Sequence, residues 1–439
     1  MSSQRILVIG HSDVGRRVCG LLQGQGIEIT HLDDPADAEL RECLDTGVDG
    51  VAVMLHDDIR ALRYSLMIEH LRPGIRLFVA MFDRTTRAQI ERAVPNVTVL
   101  SPAAIAVPSM VAAAIAPQFK AVRRRGSASV REWVAFESGD ESYRVSPFRL
   151  LRSARVRGWF GVLRGQGRPY DRGTAVLMYA AIGLGLVTLA DALFALGHEP
   201  FITALKNAVL TTATITTPAI EHDPLRELWA ALAAFLVMLL AAAFGAGLVH
   251  HLLEGGHVSL FGRRVAPRSG HVIVAGLGQV GLRLAQELKD IGVPVVAIEK
   301  SSAAPTLGIA KSLRIPVVIG SAASQSALRR AGARRALAVV AAGSDERENI
   351  SIAVDARAAA PSTNLVLRAG SDPAIDETRS LFHIAIAIDI NALTAAFVAH
   401  TMAQETPYAV VHRGSGIAAL DEAGEVVERY RIAAHCSCV

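Results

Sequence analysis

Residues 271–300 read HVIVAGLGQVGLRLAQELKDIGVPVVAIEK, and this segment decides the fold. A short apolar run predicts a buried strand, a helical pattern follows, and a second apolar run ends at Glu299. The turn between the first strand and the helix reads G-x-G-x-x-G, with Gly276, Gly278 and Gly281 as its glycines. This order is typical of a βαβ unit that binds a dinucleotide.

The glycine spacing has a physical meaning. The first glycine permits a tight turn, the second lets the backbone approach a pyrophosphate, and the third lets helix and strand pack closely. The helix begins at Gln279 and Val280, where exposed N–H groups and the positive helix end attract phosphate. Glu299 stands where an acid is expected to bind ribose hydroxyls. The segment therefore predicts nucleotide binding, and the alternative is that the glycines serve close packing alone and the site holds no ligand.

The same pattern occurs near the N-terminus, and three pairs of segments match in the same order. The pairs are residues 5–34 with 271–300, residues 50–58 with 337–345, and residues 102–126 with 390–414. The difference in residue number between matching positions grows from about 266 in the first pair to about 287 in the second. The first copy therefore lacks about 21 residues, close to one βα unit. We infer an internal duplication. The alternation of strands and helices predicts a doubly wound parallel sheet in each copy.

The first copy departs from the glycine motif. Its turn begins at Gly10 and ends at Gly15, but Ser12 stands at the second glycine position and Asp13 follows it. A side chain at Ser12 obstructs a diphosphate, and the Asp13 carboxylate repels one. The first copy is therefore predicted to be a structural or pairing domain.

Each copy is followed by a candidate β-hairpin, at residues 132–145 and 416–432, because alternating residues flank an acidic, glycine-containing turn. After the first hairpin, residues 149–172 carry seven arginines against one acidic residue, Asp171. Aromatic and leucine side chains lie among these arginines. The segment predicts an amphipathic helix at the membrane surface.

Two long apolar runs lie between the copies, at residues 174–197 and 228–253. A helix rises about 1.5 Å per residue and a bilayer core is about 30 Å thick, so each run is long enough to span it. Lys and Arg exceed Asp and Glu in the segments just before the first run and just after the second. The segment that connects the two runs is net acidic. The positive-inside rule then predicts a two-span protein of the cell membrane with both termini in the cytoplasm.

The composition limits the classes of partner. The chain has 439 residues, is 51% hydrophobic and carries a net charge of +4. Much of the positive charge lies beside the first span, which favours contact with membrane lipid over nucleic acid. The four cysteines, Cys19, Cys43, Cys436 and Cys438, fit no zinc spacing, so we predict no metal site and expect reduced thiols in the cytoplasm.

Several segments of the second copy together resemble the RCK (TrkA-N) domain of potassium-channel regulators and Trk-type potassium uptake systems. They are residues 270–281, Glu299, and residues 315–322, 328–350 and 364–372. The resemblance implies a Rossmann fold that binds NAD(H) or an adenine nucleotide. It adds Lys300, Gly320 and Ser321 to the candidate site; many family members carry aspartate where this chain has Ser321.

The membrane block is similar to a two-transmembrane potassium-channel pore. The resemblance implies an outer helix, a pore helix at residues 201–213, a filter at residues 211–218, an inner helix, and a homotetramer around the pore. The family filter contains glycines, whereas residues 211–218 read TTATITTP. Hydroxyl groups are then the candidate ion ligands, from Thr211, Thr212, Thr214, Thr216 and Thr217.

These observations divide the chain as follows: residues 1–125, a degenerate Rossmann (RCK-like) domain; 126–172, a hairpin and basic linker; 173–255, a two-transmembrane pore-like domain with a re-entrant segment at 201–218; 256–268, a linker; 269–404, the RCK domain; and 405–439, a C-terminal hairpin tail. The expected fold class is α/β Rossmann-like domains, in two copies, flanking an α-helical two-transmembrane module.

The expected function is that of a ligand-gated, channel-like protein for a monovalent cation such as potassium. Nucleotide binding would bias the second copy between two arrangements, and the linker would pass that bias to the inner helix. The alternative is a membrane-anchored nucleotide sensor that does not conduct and regulates a partner transporter, which the glycine-free filter favours. A dehydrogenase is the third class, but no Lys/His/Tyr constellation accompanies the motif, so we expect no catalytic residues and no enzyme.

Overall fold

A computed structural model describes residues 4–82, 84–126, 132–139, 142–149, 167–169, 172–195, 200–213, 224–253, 265–370, 385–414 and 416–431. The chain divides into two units, one of Met1–Arg155 with Pro267–Val439 and the other of Val156–Ala266. The amphipathic helix expected within residues 149–172 falls almost wholly outside the described residues, as do Cys436 and Cys438.

The first copy forms a parallel sheet of five strands in the order β2-β1-β3-β4-β5. Its strands are β1 Arg5–Ile9, β2 Glu28–Leu32, β3 Gly50–Val53, β4 Arg76–Ala80 and β5 Val97–Leu100. Its helices are α1 Asp13–Gly24, α2 Asp37–Asp45, α3 Asp58–Leu71, α4 Arg84–Ala93 and α5 Pro102–Ile115. Ile6 and Val8 of β1 face one core, and Leu7 and Ile9 face the other, because successive strand residues point to opposite faces. The sheet is therefore covered on both sides, as predicted.

An antiparallel sheet of three strands follows the first copy: β6 Phe119–Arg125, β7 Glu132–Ser138 and β8 Tyr143–Pro147. The hairpin predicted at residues 132–145 is formed by β7 and β8. Strand β6 pairs with β7 along its length and makes the hairpin part of a larger sheet.

The second unit contains three helices, α6 Arg172–Ala195, α7 Phe201–Thr212 and α8 Pro224–Leu253. A short two-stranded sheet of β9 Gly167–Pro169 and β10 Val265–Pro267 lies at the ends of this part of the chain. At residue 183 of α6, a Cβ in place of the glycine hydrogen would lie 2.9 Å from Leu240 Cδ2 of α8. The missing side chain lets the two long helices approach closely, as small residues do in membrane helix pairs.

Helices α6 and α8 are long and apolar enough to cross a membrane. Their spans Ala175–Leu193 and Leu228–Val249 have mean hydropathies of 1.9 and 2.5. Only 22% and 17% of the most apolar windows are buried within the structure, whereas a core helix of a soluble protein would be mostly buried. Helix α7 has 12 residues and therefore reaches about 18 Å, too short to cross a bilayer.

The second copy forms a parallel sheet of six strands in the order β13-β12-β11-β14-β15-β16. Its strands are β11 Val272–Ala275, β12 Val295–Glu299, β13 Val317–Ile319, β14 Ala338–Ala341, β15 Asn364–Ala369 and β16 Ile386–Asp389. Its helices are α9 Gln279–Ile291, α10 Thr306–Ser312, α11 Gln325–Ala331, α12 Glu346–Ala359 and α13 Ile390–Ala403. A final antiparallel sheet has β17 Ala409–Arg413, β18 Gly416–Leu420 and β19 Val426–Arg431.

The strand registers confirm the duplication and locate the missing unit. Ile6 lies opposite Gly50 in the first sheet, and Val272 lies opposite Ala338 in the second, so the offset changes from 266 to 288 between the two pairs. The second sheet has an additional edge strand, β13, beside β12. The first copy thus lacks the outer βα unit, and its β2 is the edge strand of the described sheet.

The two copies pack against each other within the chain. Helix α1 contacts α13, and α5 contacts both α9 and α13. One continuous apolar core includes residues of both sheets and of these helices. The small sheets also meet, because the Arg123 guanidinium lies 4.6 Å from the Tyr408 ring centre and the Arg413 guanidinium lies 5.7 Å from that of Tyr143. The chain therefore contains a pair of Rossmann-like domains.

Candidate functional site

The glycine turn of the second copy begins where β11 ends. Gly276 has φ +88°, a conformation that residues other than glycine rarely adopt. A Cβ on Gly276 would lie 3.1 Å from the N and Cα atoms of Gly343, and a Cβ on Gly281 would lie 1.9 Å from the Gly276 oxygen. Both positions therefore require glycine. The first and third glycines close the turn and bring α9 onto the sheet.

The second glycine, Gly278, differs from the other two because it is open. A Cβ on Gly278 would have no atom of the described residues within 4 Å. Gly278 is the N-cap of α9, and no described side chain accepts a hydrogen bond at this cap. The N–H groups at the start of α9, including those of Gln279 and Val280, thus lie at a helix end that carries partial positive charge. This end can bind a phosphate.

Glu299 stands at the end of β12, beside the glycine turn. Its Oε2 accepts a hydrogen bond from Leu277 N at 2.8 Å, and its Oε1 accepts one from Ser301 N at 3.0 Å. These contacts fix the carboxylate next to the helix end. A carboxylate offers about four acceptor positions, so both oxygens retain capacity for the hydroxyls of a ribose.

The other predicted residues follow β12 and β13, at the same end of the sheet as the glycine turn. Gly320 N donates to Glu299 O at 2.9 Å, and Gly320 has φ +143°. Ser321 Oγ accepts a hydrogen bond from Ala323 N at 3.3 Å. Lys300 is exposed, with its Nζ 3.3 Å from Glu348 Oε1. Hydrogen bonds thus connect the glycine turn, Glu299 and Gly320, whereas Lys300 lies at the rim.

Sequence reasoning missed the loop opposite the turn. Gly343 lies against Gly276, and its backbone is held by Asn349, a fully buried residue of α12. Two sequence signals were present: the resemblance of residues 328–350, Asn349 included, to the RCK domain, and the segment AAGSD after the apolar run of β14. The second signal places a glycine at a strand end but says nothing of its neighbour across the sheet.

The corresponding turn of the first copy is filled by its own side chain. Ser12 Oγ donates to Met54 O at 2.5 Å and accepts from Gly15 N at 3.1 Å. Ser12 is only 5% exposed and caps α1. Asp13 forms an ion pair with Arg16 at 2.9 Å. The helix N–H group that would face a phosphate therefore has an internal partner.

The candidate ion ligands of the second unit lie at and beyond the end of α7. Thr211 Oγ1 donates to Asn207 O at 2.9 Å. Thr212 Oγ1 donates to Ala208 O at 2.8 Å and lies 2.7 Å from Thr188 Oγ1 of α6. Both described hydroxyls thus have partners within the unit. The remaining predicted ligands lie outside the described residues: Thr214, Thr216 and Thr217.

The described residues contain no group of three or more His, Cys, Asp or Glu side chains that could hold a metal ion. Near the interface between the copies, burial raises the pKa of the Glu287 carboxyl on α9. Burial also lowers the pKa of the Arg123 guanidinium on β6. Glu287 lies in the second half of α9, the helix that begins at the glycine turn.

Comparison with known proteins identifies a domain family in the second copy. Residues 272–388 match the TrkA-N domain family. The K(+) efflux antiporter 1 of Arabidopsis thaliana chloroplasts is 44% identical over 73 residues, which are 17% of this chain and 6% of the antiporter. Potassium channel protein 1 of Methanocaldococcus jannaschii is 22% identical over 183 residues, 40% of this chain and 55% of the channel. The chain thus spans about half of that channel and a small part of the antiporter.

Solved structures also align with the chain. The GsuK channel bound to NAD aligns with 92% of this chain and 64% of its own, at 13% identity and a TM-score of 0.49. The GsuK RCK domain aligns with 92% of this chain and 77% of its own, again at 13% identity and a TM-score of 0.49. The match to the family confirms the resemblance of the second copy: this chain carries a TrkA-N (RCK) domain at residues 272–388.

Proposed function

We propose that the second copy binds a nucleotide and that this binding regulates the movement of a monovalent cation, potassium, through the membrane unit. The observation that carries the proposal is the open N-terminus of α9 at Gly278, between two glycines that tolerate no side chain. Steric restriction at Gly276 and Gly281 keeps the turn tight, and the free space at Gly278 lets a diphosphate approach the backbone N–H groups.

NAD(H) or an adenine nucleotide fits the residues at this edge. The N–H groups from Gly278 to Gly281 would bind phosphate, and Glu299 would accept hydrogen bonds from ribose hydroxyls. A fixed carboxylate at Glu299 favours an unmodified ribose, because it would repel a 2′-phosphate. Gly320 and Ser321 would adjoin the base, and Lys300 would lie at the rim. Binding and its effect on conformation, with no catalytic turnover, are the proposed activity.

The membrane part of the proposal rests on α6, α7 and α8. Two apolar helices with mean hydropathies of 1.9 and 2.5 flank a helix too short to span. The names of the antiporter and the channel described above both refer to potassium. We propose that chains assemble as a homotetramer around residues 201–218, with both termini in the cytoplasm and lipid around the outer faces.

A membrane-anchored nucleotide sensor that regulates a partner transporter is the second candidate. It is favoured by the glycine-free sequence at residues 211–218 and by the internal hydrogen bonds of Thr211 and Thr212. Both candidates share the nucleotide site and differ only in whether this chain conducts.

Recording from purified protein in planar bilayers separates the two candidates. With potassium on both sides, the channel proposal expects unitary currents whose open probability changes with NAD, NADH or ADP. An absence of current under every nucleotide, from protein that still binds nucleotide in solution, would overturn conduction and favour the sensor.

A further inference from the structure

Asn349 makes three hydrogen bonds from a side chain that is 0% exposed. Its Oδ1 accepts from Gly343 N at 3.0 Å, and its Nδ2 donates to Gly343 O at 3.0 Å and to Arg368 O at 3.1 Å. The amide therefore holds the loop after β14 from both sides and ties it to the end of β15. A buried amide with these partners fixes the local backbone.

The loop that Asn349 holds is the one against which the glycine turn packs. A Cβ on Gly276 would lie 3.1 Å from Gly343 N and Cα, so the two backbones are in direct contact. Gly343 itself is confined, because a Cβ there would lie 3.0 Å from Asn349 Oδ1. The contacts run in series from Asn349 through Gly343 to Gly276, the first residue of the turn.

The first copy supplies an internal comparison. By strand register, Ser12 corresponds to Gly278, Leu55 to Gly343 and Ala61 to Asn349. Leu55 and Ala61 are both buried, and Leu55 Cδ2 would lie 3.1 Å from a Cβ on Gly10. The copy whose turn is capped by a serine has thus also replaced the amide and its glycine by apolar side chains. The open turn and the buried amide occur together in one copy and are absent together from the other.

We propose that Asn349 is a positioning residue for the nucleotide site. It holds Gly343 against Gly276 and so fixes the turn that presents the N–H groups of α9 to phosphate. It touches no part of the nucleotide itself. The inference rests on the proposed nucleotide binding of the second copy, but its structural part, the fixing of the turn, is testable without ligand.

The test compares Asn349→Ala with Thr363→Val in the full-length protein in detergent. Thr363 is 4% exposed and donates from Oγ1 to Ala333 O at 3.0 Å, so its variant also loses a buried hydrogen bond in the same domain. Thr363 immediately precedes β15, whereas the turn follows β11, so the two lie at opposite ends of the parallel strands. Thermal unfolding of both variants measures their general loss of stability.

Hydrogen–deuterium exchange is measured first, on protein without nucleotide. Asn349→Ala should speed amide exchange in residues 276–281, and Thr363→Val should leave those residues unchanged. Titration with NAD and ADP follows, and Asn349→Ala should bind roughly tenfold more weakly than wild type, as expected when a buried hydrogen-bonding partner is lost. Thr363→Val should bind as wild type does.

Unchanged exchange at residues 276–281 in Asn349→Ala would overturn the inference, and so would equal weakening of nucleotide binding in both variants. If Asn349→Ala does not fold, Asn349→Ser takes its place, because its hydroxyl can still bond to one of the three partners without burying a charge. Failure of the wild type to bind any nucleotide would overturn the proposed function, while the exchange result would still decide the role of Asn349.

Discussion

Arg17 of the first copy and Asp389 of the second form a buried ion pair, with 3.1 Å between Arg17 Nη1 and Asp389 Oδ2. Their side chains are 8% and 7% exposed. Asp389 also caps α13 by accepting a hydrogen bond from Ala392 N at 2.9 Å. The pair therefore joins α1, which begins at the degenerate turn, to the strand and helix at the edge of the second sheet.

Loss of Arg17 should destabilise the paired domains. Arg17→Ala removes a buried counter-charge of the Asp389 carboxylate, and removing one member of a buried ion pair costs about 3–5 kcal/mol in comparable sites. The measurement is the apparent Tm of the full-length protein in detergent. Arg16→Ala is the matched control, because the ion pair of Arg16 with Asp13 is 52% and 35% exposed and should contribute about 0–1 kcal/mol. Equal, small shifts in both variants would contradict a structural role for the buried pair.

Two glycines of one motif should respond differently to alanine. Gly278→Ala should fold normally, because its Cβ meets no described atom within 4 Å, yet its methyl group would stand where a phosphate approaches the N–H groups. We expect more than about tenfold weaker nucleotide binding, since one hydrogen bond to a charged group contributes about 1.5–3 kcal/mol.

Gly281→Ala should lose stability as well as binding. Its Cβ would lie 1.9 Å from Gly276 O, so α9 must move away from the turn at a cost of about 1–3 kcal/mol or more. Calorimetric titration and thermal unfolding of both variants measure the two effects separately. A Gly278→Ala protein that binds nucleotide as wild type does would contradict phosphate binding at this helix end.

Each chain should bind one nucleotide, because Ser12 fills the turn of the first copy. Ser12→Ala removes the hydrogen bonds to Met54 O and Gly15 N and should cost about 0.5–2 kcal/mol. It should leave the stoichiometry and affinity for NAD or ADP unchanged in calorimetric titration. Two sites per chain in the wild type, or a change of affinity in Ser12→Ala, would show that the first copy also binds ligand.

Stability should decline in mildly acidic solution because of His400 on α13. Burial lowers the pKa of His400, which is 2% exposed and lies 2.9 Å from the Tyr430 hydroxyl. The unfolded chain therefore takes up this proton at a higher pH, about 6.5, than the folded chain does. The contribution of His400 to the free energy of unfolding is full above that pH. It is lost as the pH falls from about 6.5 towards the lower pKa of His400 in the folded state.

Thermal unfolding between pH 7.5 and 5.5 checks this behaviour. His400→Gln should show a smaller decline in apparent Tm than the wild type. His70→Gln, at an exposed position at the end of α3, should retain the wild-type decline. A wild-type decline in His400→Gln would assign the pH dependence to other groups.

The sequence predicted those features that depend on local spacing. The strand, the three glycines, α9 and Glu299 lie within 30 residues, and each glycine has its own steric reason. The missing βα unit could also be predicted from the sequence. In two copies of one domain, a deletion from one copy changes the difference in residue number between the matching segments on either side of it. The two helices long and apolar enough to cross a membrane were also evident from length and composition.

Features that depend on distant residues were beyond sequence reasoning. Asn349 acts through Gly343 on Gly276, and no local pattern marks the contact between these two glycines. Helices α5 and α13 are apolar all round, which indicates burial but does not name the surface that covers them. Strand β6, with the sequence FKAVRRR, ends in three arginines that hide its alternation, so the small sheets were predicted only as hairpins.

The central claim is that nucleotide binding at the second copy controls cation movement through the membrane unit. Potassium flux from proteoliposomes, measured against NAD and ADP concentration for wild type and Gly278→Ala, tests it most directly. We predict a flux that changes with nucleotide in the wild type and ignores nucleotide in Gly278→Ala. A flux that is absent, or that responds equally in both proteins, would contradict the claim.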